Sequence, residues 1–245
     1  MEKVTKKFGL LGRKLGHSFS EKFFTAYFKE RSIDASYVNY EMDSIDEVKE
    51  IFKQDLTGLN VTVPYKEAVI PFLDELSPEA IAIGAVNVIK FQEGKRIGYN
   101  SDAFGFHQSI KPFLLNVHER ALILGTGGAS KAVKYVFQQI GLDVIQISRT
   151  PLGEKEFGYE EINEHMVRAC KVVVNCTPVG MHPDTNACIP FPFEFLTSEH
   201  LVVDLIYNPE KTVFLQRSEQ HGAVILNGSS MLKEQALRAW EIWNS

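Results

Sequence analysis

Apolar residues follow two rhythms along this chain, and their order sets the architecture. Residues 8–11, 36–40 and 59–63 are short apolar or alternating runs, and the stretches around 21–30 and 45–52 between them read as helices. This β-α-β-α-β order predicts a largely parallel sheet. A second series begins near residue 121, with strands predicted at 121–124, 144–148, 172–175 and 201–204 and helices over 131–140 and around 160–168. Residues 102–120, between the two series, are expected to carry a connecting helix. Residues 231–243 read as an amphipathic helix with Leu232, Ala236, Ala239, Trp240 and Trp243 at near-helical spacing, able to pack back on the first series.

The run Asn60-Val-Thr-Val-Pro-Tyr-Lys66 stands out within the first series. Val61 and Val63 alternate with Asn60 and Thr62, the period of a strand with one buried and one polar face. Pro64 ends the strand because it cannot donate to a ladder. Two hydrogen-bonding side chains and a cation just past the strand end suit a small-molecule site. An edge strand followed by a solvated lysine would use the same residues.

Composition narrows the function classes. A length of 245 residues suits one large domain or two small ones, and 44% hydrophobic residues suffice for a real core. A net charge of −5 supplies no basic field for nucleic acid or an anionic membrane. No apolar run approaches the ~20 residues that span a bilayer, and the charged N-terminus does not read as a signal peptide. Cys170, Cys176 and Cys188 are odd in number and lack CxxC spacing, so they are expected to be reduced thiols in a cytoplasmic protein. The seven histidines form no metal-ligand pair, and no metal is expected; His17 adjoins Ser18 and is expected near the site.

The second series carries a cofactor signal. Its first strand runs into Gly125-Thr126-Gly127-Gly128-Ala129-Ser130, which opens a helix. Glycines allow a tight turn and close approach of a pyrophosphate, and the helix N-terminus offers unpaired N–H groups and a positive dipole end. A structural turn could look the same; the strand-loop-helix context favours a dinucleotide. An NAD site would place Asp or Glu about 20 residues past the loop. The chain instead has Ser148-Arg149-Thr150, and Asp143 lies at the opposite end of that strand. Arg149 can pair with the 2′-phosphate of NADP, with Ser148 and Thr150 as hydroxyl donors. The alternative is an ordinary surface arginine.

These strings, together with Gly9-Leu-Leu-Gly12, Gly84-Ala-Val-Asn87, Gly98-Tyr-Asn-Ser-Asp102, Asn175-Cys-Thr-Pro-Val-Gly-Met181, Asp204-Leu-Ile-Tyr-Asn-Pro209 and Met231-Leu-Lys-Glu-Gln235, resemble the shikimate dehydrogenase family nearly end to end. The resemblance implies two α/β domains: an N-terminal substrate domain with a mainly parallel sheet, and a Rossmann-like NADP-binding domain, with the active site in the cleft between them. The substrate domain would comprise residues 1–102 plus 226–245, and the NADP domain residues 103–225. The implied reaction is the reversible, NADPH-dependent reduction of 3-dehydroshikimate to shikimate, by a monomer or homodimer without nucleic-acid or membrane partners.

Residue by residue, Lys66 matches the catalytic lysine and Asp102 its partner. A protonated lysine stabilises the alkoxide that develops when a ketone takes hydride, then gives up its proton. The plain alternative for the pair is a surface ion pair. Ser18 and Ser20 match the groups that hold the substrate carboxylate, although Ser20 could serve as a helix cap. Asn60, Thr62, Asn87, Tyr207 and Gln235 match hydrogen-bonding groups for the ring hydroxyls; Gln235 could equally be a plain helical residue. Thr177, Leu205 and Gly228 match positions bordering the nicotinamide half of the cofactor. The chain departs from the family at Ser101, where Thr is usual, and at Ser148, where Asn is usual. A variant acting on quinate with NAD and a non-catalytic NADP sensor are the other readings, and the presence of Lys66 and Asp102 weighs against the second.

Overall fold

Phe8, Leu10 and Leu11 place the first strand, β1 (Lys6–Gly12), in the middle of a sheet, where it is buried from Phe8 onward. The structure, a computed structural model, describes residues 5–16 and 18–245, so His17 lies outside the described residues. The chain divides into two compact units, Met1–Phe104 with Gln235–Ser245, and Gly105–Glu234.

In the first unit β1 is followed by α1 (Phe19–Glu30), which buries Phe24 and Phe28, and by β2 (Ala35–Glu41). A 3-10 turn at Ile45–Glu47 leads into α2 (Val48–Ile51). Then come β3 (Gly58–Val61), α3 (Tyr65–Ala68), β4 (Glu75–Leu76), α4 (Pro78–Ile83), β5 (Val88–Gln92), β6 (Lys95–Tyr99) and the start of α5 (Asp102–Ile110). The sheet order is β2-β1-β3-β5-β6-β4. Strand β1 runs parallel to β2 and β3, as the alternating pattern predicts, but β5 is antiparallel to both β3 and β6. The β5–β6 hairpin turns on Glu93 and Gly94, at φ of 53° and 75°. Such a two-residue loop with both φ values positive matches the twist of the paired strands.

Strand β3 corrects the alternation expected through Val63. Gly58–Val61 is buried throughout because β1 and β5 flank it, so this is a central strand. The Thr62 amide makes a further bond to the Leu11 carbonyl at 2.8 Å, and the chain then turns into α3, leaving Val63 71% exposed. The helix of the serine pair likewise begins two residues before position 21. Ser18, not Ser20, is its N-cap, accepting from the Glu21 amide at 3.2 Å.

The second unit contains β7 (Arg120–Leu124), α6 (Gly128–Gln139), β8 (Asp143–Ile147), β9 (Glu156–Phe157), α7 (Glu164–Ala169), β10 (Val172–Asn175), β11 (Leu201–Asp204), α8 (Val213–Gln220) and β12 (Val224–Leu226). All its strand pairs are parallel, in the order β12-β11-β10-β7-β8-β9. Counted along the chain this is 3-2-1-4-5-6, the doubly wound order of dinucleotide-binding sheets, and it reverses between β7 and β10. Strands β9 and β12 and helix α8 were not predicted from the pattern. Among the described residues no helix is long and apolar enough to cross a membrane.

The last helix, α9 (Ser229–Asn244), begins in the second unit and ends in the first. Its stripe of Ala236, Ala239, Ile242 and Trp243 packs into the cluster of Phe8, Phe24 and Phe28. The Trp243 ring lies 4.7 Å from Phe8 and 5.3 Å from Phe24, and its indole N–H donates to the Ile89 carbonyl at 3.0 Å. Gly58 is required beneath it, since a Cβ there would collide with the indole. Truncating Trp243 to Ala removes both packing and a hydrogen bond. We expect a loss of about 3–5 kcal/mol in urea unfolding followed by circular dichroism; a loss below ~1 kcal/mol would contradict this packing role.

Candidate active site

Lys66 stands on α3, one short turn beyond the end of β3, and Asp102 is the first residue of α5. The Lys66 Nζ lies 2.6 Å from Asp102 Oδ2, with side-chain exposures of 15% and 2%. This burial removes the pair from the class of exposed ion pairs, whose worth is about 0–1 kcal/mol. A carboxylate at the start of a helix is also favoured by the helix dipole. Asn100 supports the turn, its Oδ1 accepting from the Ala103 amide at 3.2 Å and its Nδ2 donating to the Ala85 carbonyl at 2.9 Å. The Val86 amide donates to the Lys66 carbonyl at 2.8 Å, which ties α3 to the segment before β5.

A chain of polar side chains runs through the first unit beside this pair. Asn60 is 8% exposed on β3; its Oδ1 accepts from the Tyr37 hydroxyl at 2.7 Å and its Nδ2 donates to the Asn87 carbonyl at 3.3 Å. Burial pushes the Tyr37 phenol well above its usual value, with Ser20 pulling it the other way. Asn87 is 2% exposed: its Oδ1 accepts from the Ser101 amide at 2.6 Å, and its Nδ2 donates to Ser101 Oγ and to Gln235 Oε1, each at 3.1 Å. Gln235 on α9 is therefore a partner within the first unit, not a plain helical residue. The Ser18 hydroxyl oxygen is engaged by the α1 cap and keeps its O–H to donate. Thr62 is half-buried just past β3.

Tyr207 lies in the second unit, half-buried after β11, with its phenol raised by burial. Tyr37, Asn100 and Ser101 were given no role from the sequence. The signal for Tyr37 was its place two residues into a strand, directly preceding alternation with Val38 and Asn39; its partner Asn60 could not be inferred without the register.

The second unit builds a cradle at the reversal of its sheet. Gly125 follows β7 at φ 109°, where a side chain would be strained, and a Cβ there would press on the Thr177 methyl. Gly127 is the N-cap of α6 and Gly128 its first residue, with Thr126 before them and Ala129 after. No side chain caps this helix, and a Cβ at Gly127 would meet nothing within 4 Å. An open helix N-terminus with uncapped N–H groups fits a pyrophosphate. Ser130, in the third small slot, is buried and its hydroxyl donates to the Gly127 carbonyl at 2.6 Å. Gln146 donates to the Gly125 carbonyl at 2.9 Å, bracing the loop from β8.

Beyond β8, the buried Ser148 Oγ accepts from the Thr150 amide at 3.1 Å and shapes the turn, while Arg149 and Thr150 are exposed. Asp143, at the far end of β8, is held by Lys155 at 2.6 Å. Next to the glycine loop, Thr177 donates through both its amide and its hydroxyl to Asn175 Oδ1, each at 2.8 Å. Gly228 is packed so tightly against the Leu205 carbonyl that no side chain fits. Cys170, Cys176 and Cys188 are free thiols; burial raises all three, Cys170 to about 11. Among the described residues no cluster of three or more His, Cys, Asp or Glu could hold a metal.

Comparison with known proteins gives a consistent set of likenesses. The family model for the shikimate dehydrogenase substrate binding domain matches residues 10–89. A shikimate dehydrogenase (NADP(+)) of Desulforamulus reducens is 36% identical over 258 residues, covering 96% of this chain and 88% of that protein. The solved shikimate dehydrogenase of Aquifex aeolicus superposes with a TM-score of 0.87 at 34% identity, covering 100% of this chain and 94% of that one. The Thermus thermophilus shikimate 5-dehydrogenase, solved in complex with NADP(H) and shikimate, gives a TM-score of 0.86 at 32% identity, with coverage of 97% and 93%.

Asp204 at the end of β11 provides a pH test of this site. Burial raises its carboxyl from 3.8 to about 6, against the opposing pull of hydrogen bonds from Thr212, the Ile206 amide and Asn175. A raised value contributes stability that is complete below the unfolded value of 3.8 and is lost as pH rises through about 6. The unfolding free energy of the wild type minus that of Asp204→Asn should therefore increase by up to about 3 kcal/mol between pH 7 and pH 4. Urea unfolding at each pH measures it, and a difference that stays flat would contradict the burial effect.

Proposed function

The chain belongs to the shikimate dehydrogenase family, and from that premise we propose that it reversibly reduces 3-dehydroshikimate to shikimate with NADPH. The observation that carries the chemistry is the buried Lys66–Asp102 pair at 2.6 Å. NADPH, when bound, supplies the hydride. The Lys66 ammonium faces the carbonyl oxygen, stabilises the alkoxide as charge develops there, and transfers its proton from Nζ to that oxygen. Asp102 accepts from Nζ and fixes the direction of the ammonium; in the oxidative direction the pair takes the proton back.

Asn60, Thr62, Asn87, Tyr207 and Gln235 are assigned to the ring hydroxyls, and Ser18 and Ser20 to the carboxylate. The substrate region is residues 1–102 plus 226–245, and residues 103–225 bind NADP. The backbone of Gly125, Thr126, Gly127, Gly128 and Ala129 takes the pyrophosphate, Arg149 with Ser148 and Thr150 takes the 2′-phosphate, and Thr177, Leu205 and Gly228 border the nicotinamide. The protein acts in the cytoplasm as a monomer or homodimer on small molecules, without nucleic acid or membrane as partner, consistent with its net charge of −5.

Replacing Lys66 with Ala should lower turnover by roughly 10²- to 10⁴-fold while leaving NADPH affinity nearly unchanged. NADPH absorbance with 3-dehydroshikimate, beside a fluorescence titration of the cofactor, reads both quantities. Near-normal turnover in this variant would sink the acid-base role. Arg149→Ala should raise the KM for NADPH about 10- to 100-fold and leave that for NADH little changed. Equal effects on both cofactors would remove the 2′-phosphate assignment. Rates with shikimate and quinate, each with NADP and NAD, distinguish the proposed activity from a quinate enzyme.

A further inference from the structure

The second unit contains a buried carboxylate with no assigned task. Asp204 is completely buried, and among the described residues it has no cationic partner within ion-pair distance. Isolated buried charges are expensive and persist only where donors surround them. Here the donors are Thr212 Oγ1 on Oδ2 at 2.6 Å, and Asn175 Nδ2 at 3.0 Å and the Ile206 amide at 3.1 Å on Oδ1. Thr212 is also the N-cap of α8, so the positive end of that helix faces the carboxylate.

The direction of these bonds has a chemical result. An ionised carboxylate only accepts, so Asn175 must turn its Nδ2 toward Asp204. Its Oδ1 then faces the loop after β10, where it takes both the amide and the hydroxyl proton of Thr177, each at 2.8 Å. The Thr177 oxygen is left with acceptor capacity alone, one share of which the Val179 amide uses at 3.2 Å. Thr177 stands against Gly125, at the point where the strand order reverses. That reversal is where open parallel sheets bind their ligands.

We propose that Asp204 is a positioning residue which, through Asn175, makes Thr177 a dedicated hydrogen-bond acceptor for a donor on the nicotinamide half of NADP. The donor is either the carboxamide N–H or a hydroxyl of the adjoining ribose. The inference rests on NADP binding in the second unit, as set out above, and it deepens that assignment by giving the site a polarity. Asn175 is the switch between the two ends, since an amide free to rotate would offer Thr177 either a donor or an acceptor.

The test uses full-length protein and calorimetric titration with NADP and with its 3-acetylpyridine analogue, in which a methyl replaces the amide NH₂. Thr177→Val should weaken NADP binding roughly 2- to 10-fold, the worth of one hydrogen bond. Asp204→Ala should cause the same loss without touching Thr177, and the double variant should be no weaker than either single one, as expected for residues acting as one unit. Asp204→Asn should bind nearly as the wild type, because its amide oxygen can still accept from Asn175 and Ile206; it also serves as the folded control if Asp204→Ala is unstable. A wild type that binds the analogue as weakly as Thr177→Val binds NADP assigns the donor to the carboxamide. Equal wild-type affinities for the two ligands, with the Thr177→Val loss retained, assign it to the ribose. The proposal is overturned if Thr177→Val binds NADP as tightly as the wild type, if Asp204→Asn in folded form loses as much as Thr177→Val, or if the losses multiply in the double variant. Failure of the wild type to oxidise shikimate would overturn the activity and leave these affinities to be judged separately.

Discussion

A carboxylate with 2% of its side chain exposed must be met by a donor, and in the first unit Lys66 meets it at 2.6 Å. Much of the surrounding backbone follows from that requirement. Strand β3 has to stop at Val61 so that the chain can turn and bring Lys66 across to the start of α5. The Lys66 carbonyl receives the Val86 amide, and Asn100 holds the first turn of α5. Such pairs add little net stability over an apolar replacement, but removal of either partner leaves an uncompensated buried charge. The geometry is therefore kept because three segments converge on it, and the same convergence holds a cation still for proton transfer.

Polar groups in the second unit are satisfied by one another at the carboxyl ends of the strands. The parallel order sets the ends of β7 and β10 side by side, so the glycine loop and the Thr177 turn become neighbours although about fifty residues separate them in the chain. The strand bodies are plain apolar runs, Leu122 to Leu124 and Val172 to Val174, with no exposed side chain among them. All of the chemistry is deferred to the residues just beyond them.

Those apolar runs are why the second unit was legible. A parallel strand buried on both faces writes itself as consecutive apolar residues, and the glycine loop followed one directly. The first unit was harder to read because its sheet changes direction. Glu93-Gly94 carried the hairpin signal, but a Glu at positive φ is an unusual turn residue and the run of β5 is short. Val63 shows the limit of periodicity: alternation continues in the sequence after the ladder has ended, and nothing local marks Val61 as the last buried residue. Lys66, Asp102 and the serine pair were reached through matched strings. Tyr37, Asn175 and Asp204 were not assigned roles, since what distinguishes each is a partner brought by strand register or sheet order.

Helix α9 crosses from one unit to the other, and its final turns supply Ala236, Ala239, Ile242 and Trp243 to a core otherwise built from Phe8, Phe24 and Phe28. The first unit thus joins residues from Phe8 to Trp243 in one aromatic cluster, with the whole second unit inserted between them in the chain. During synthesis the first unit has all its strands in hand by Tyr99, yet it must wait for the whole inserted unit before its last helix is made. The usual order of maturation along a nascent chain is thereby inverted: the unit begun first is the last to close, and its aromatic face stays uncovered until the final helix emerges.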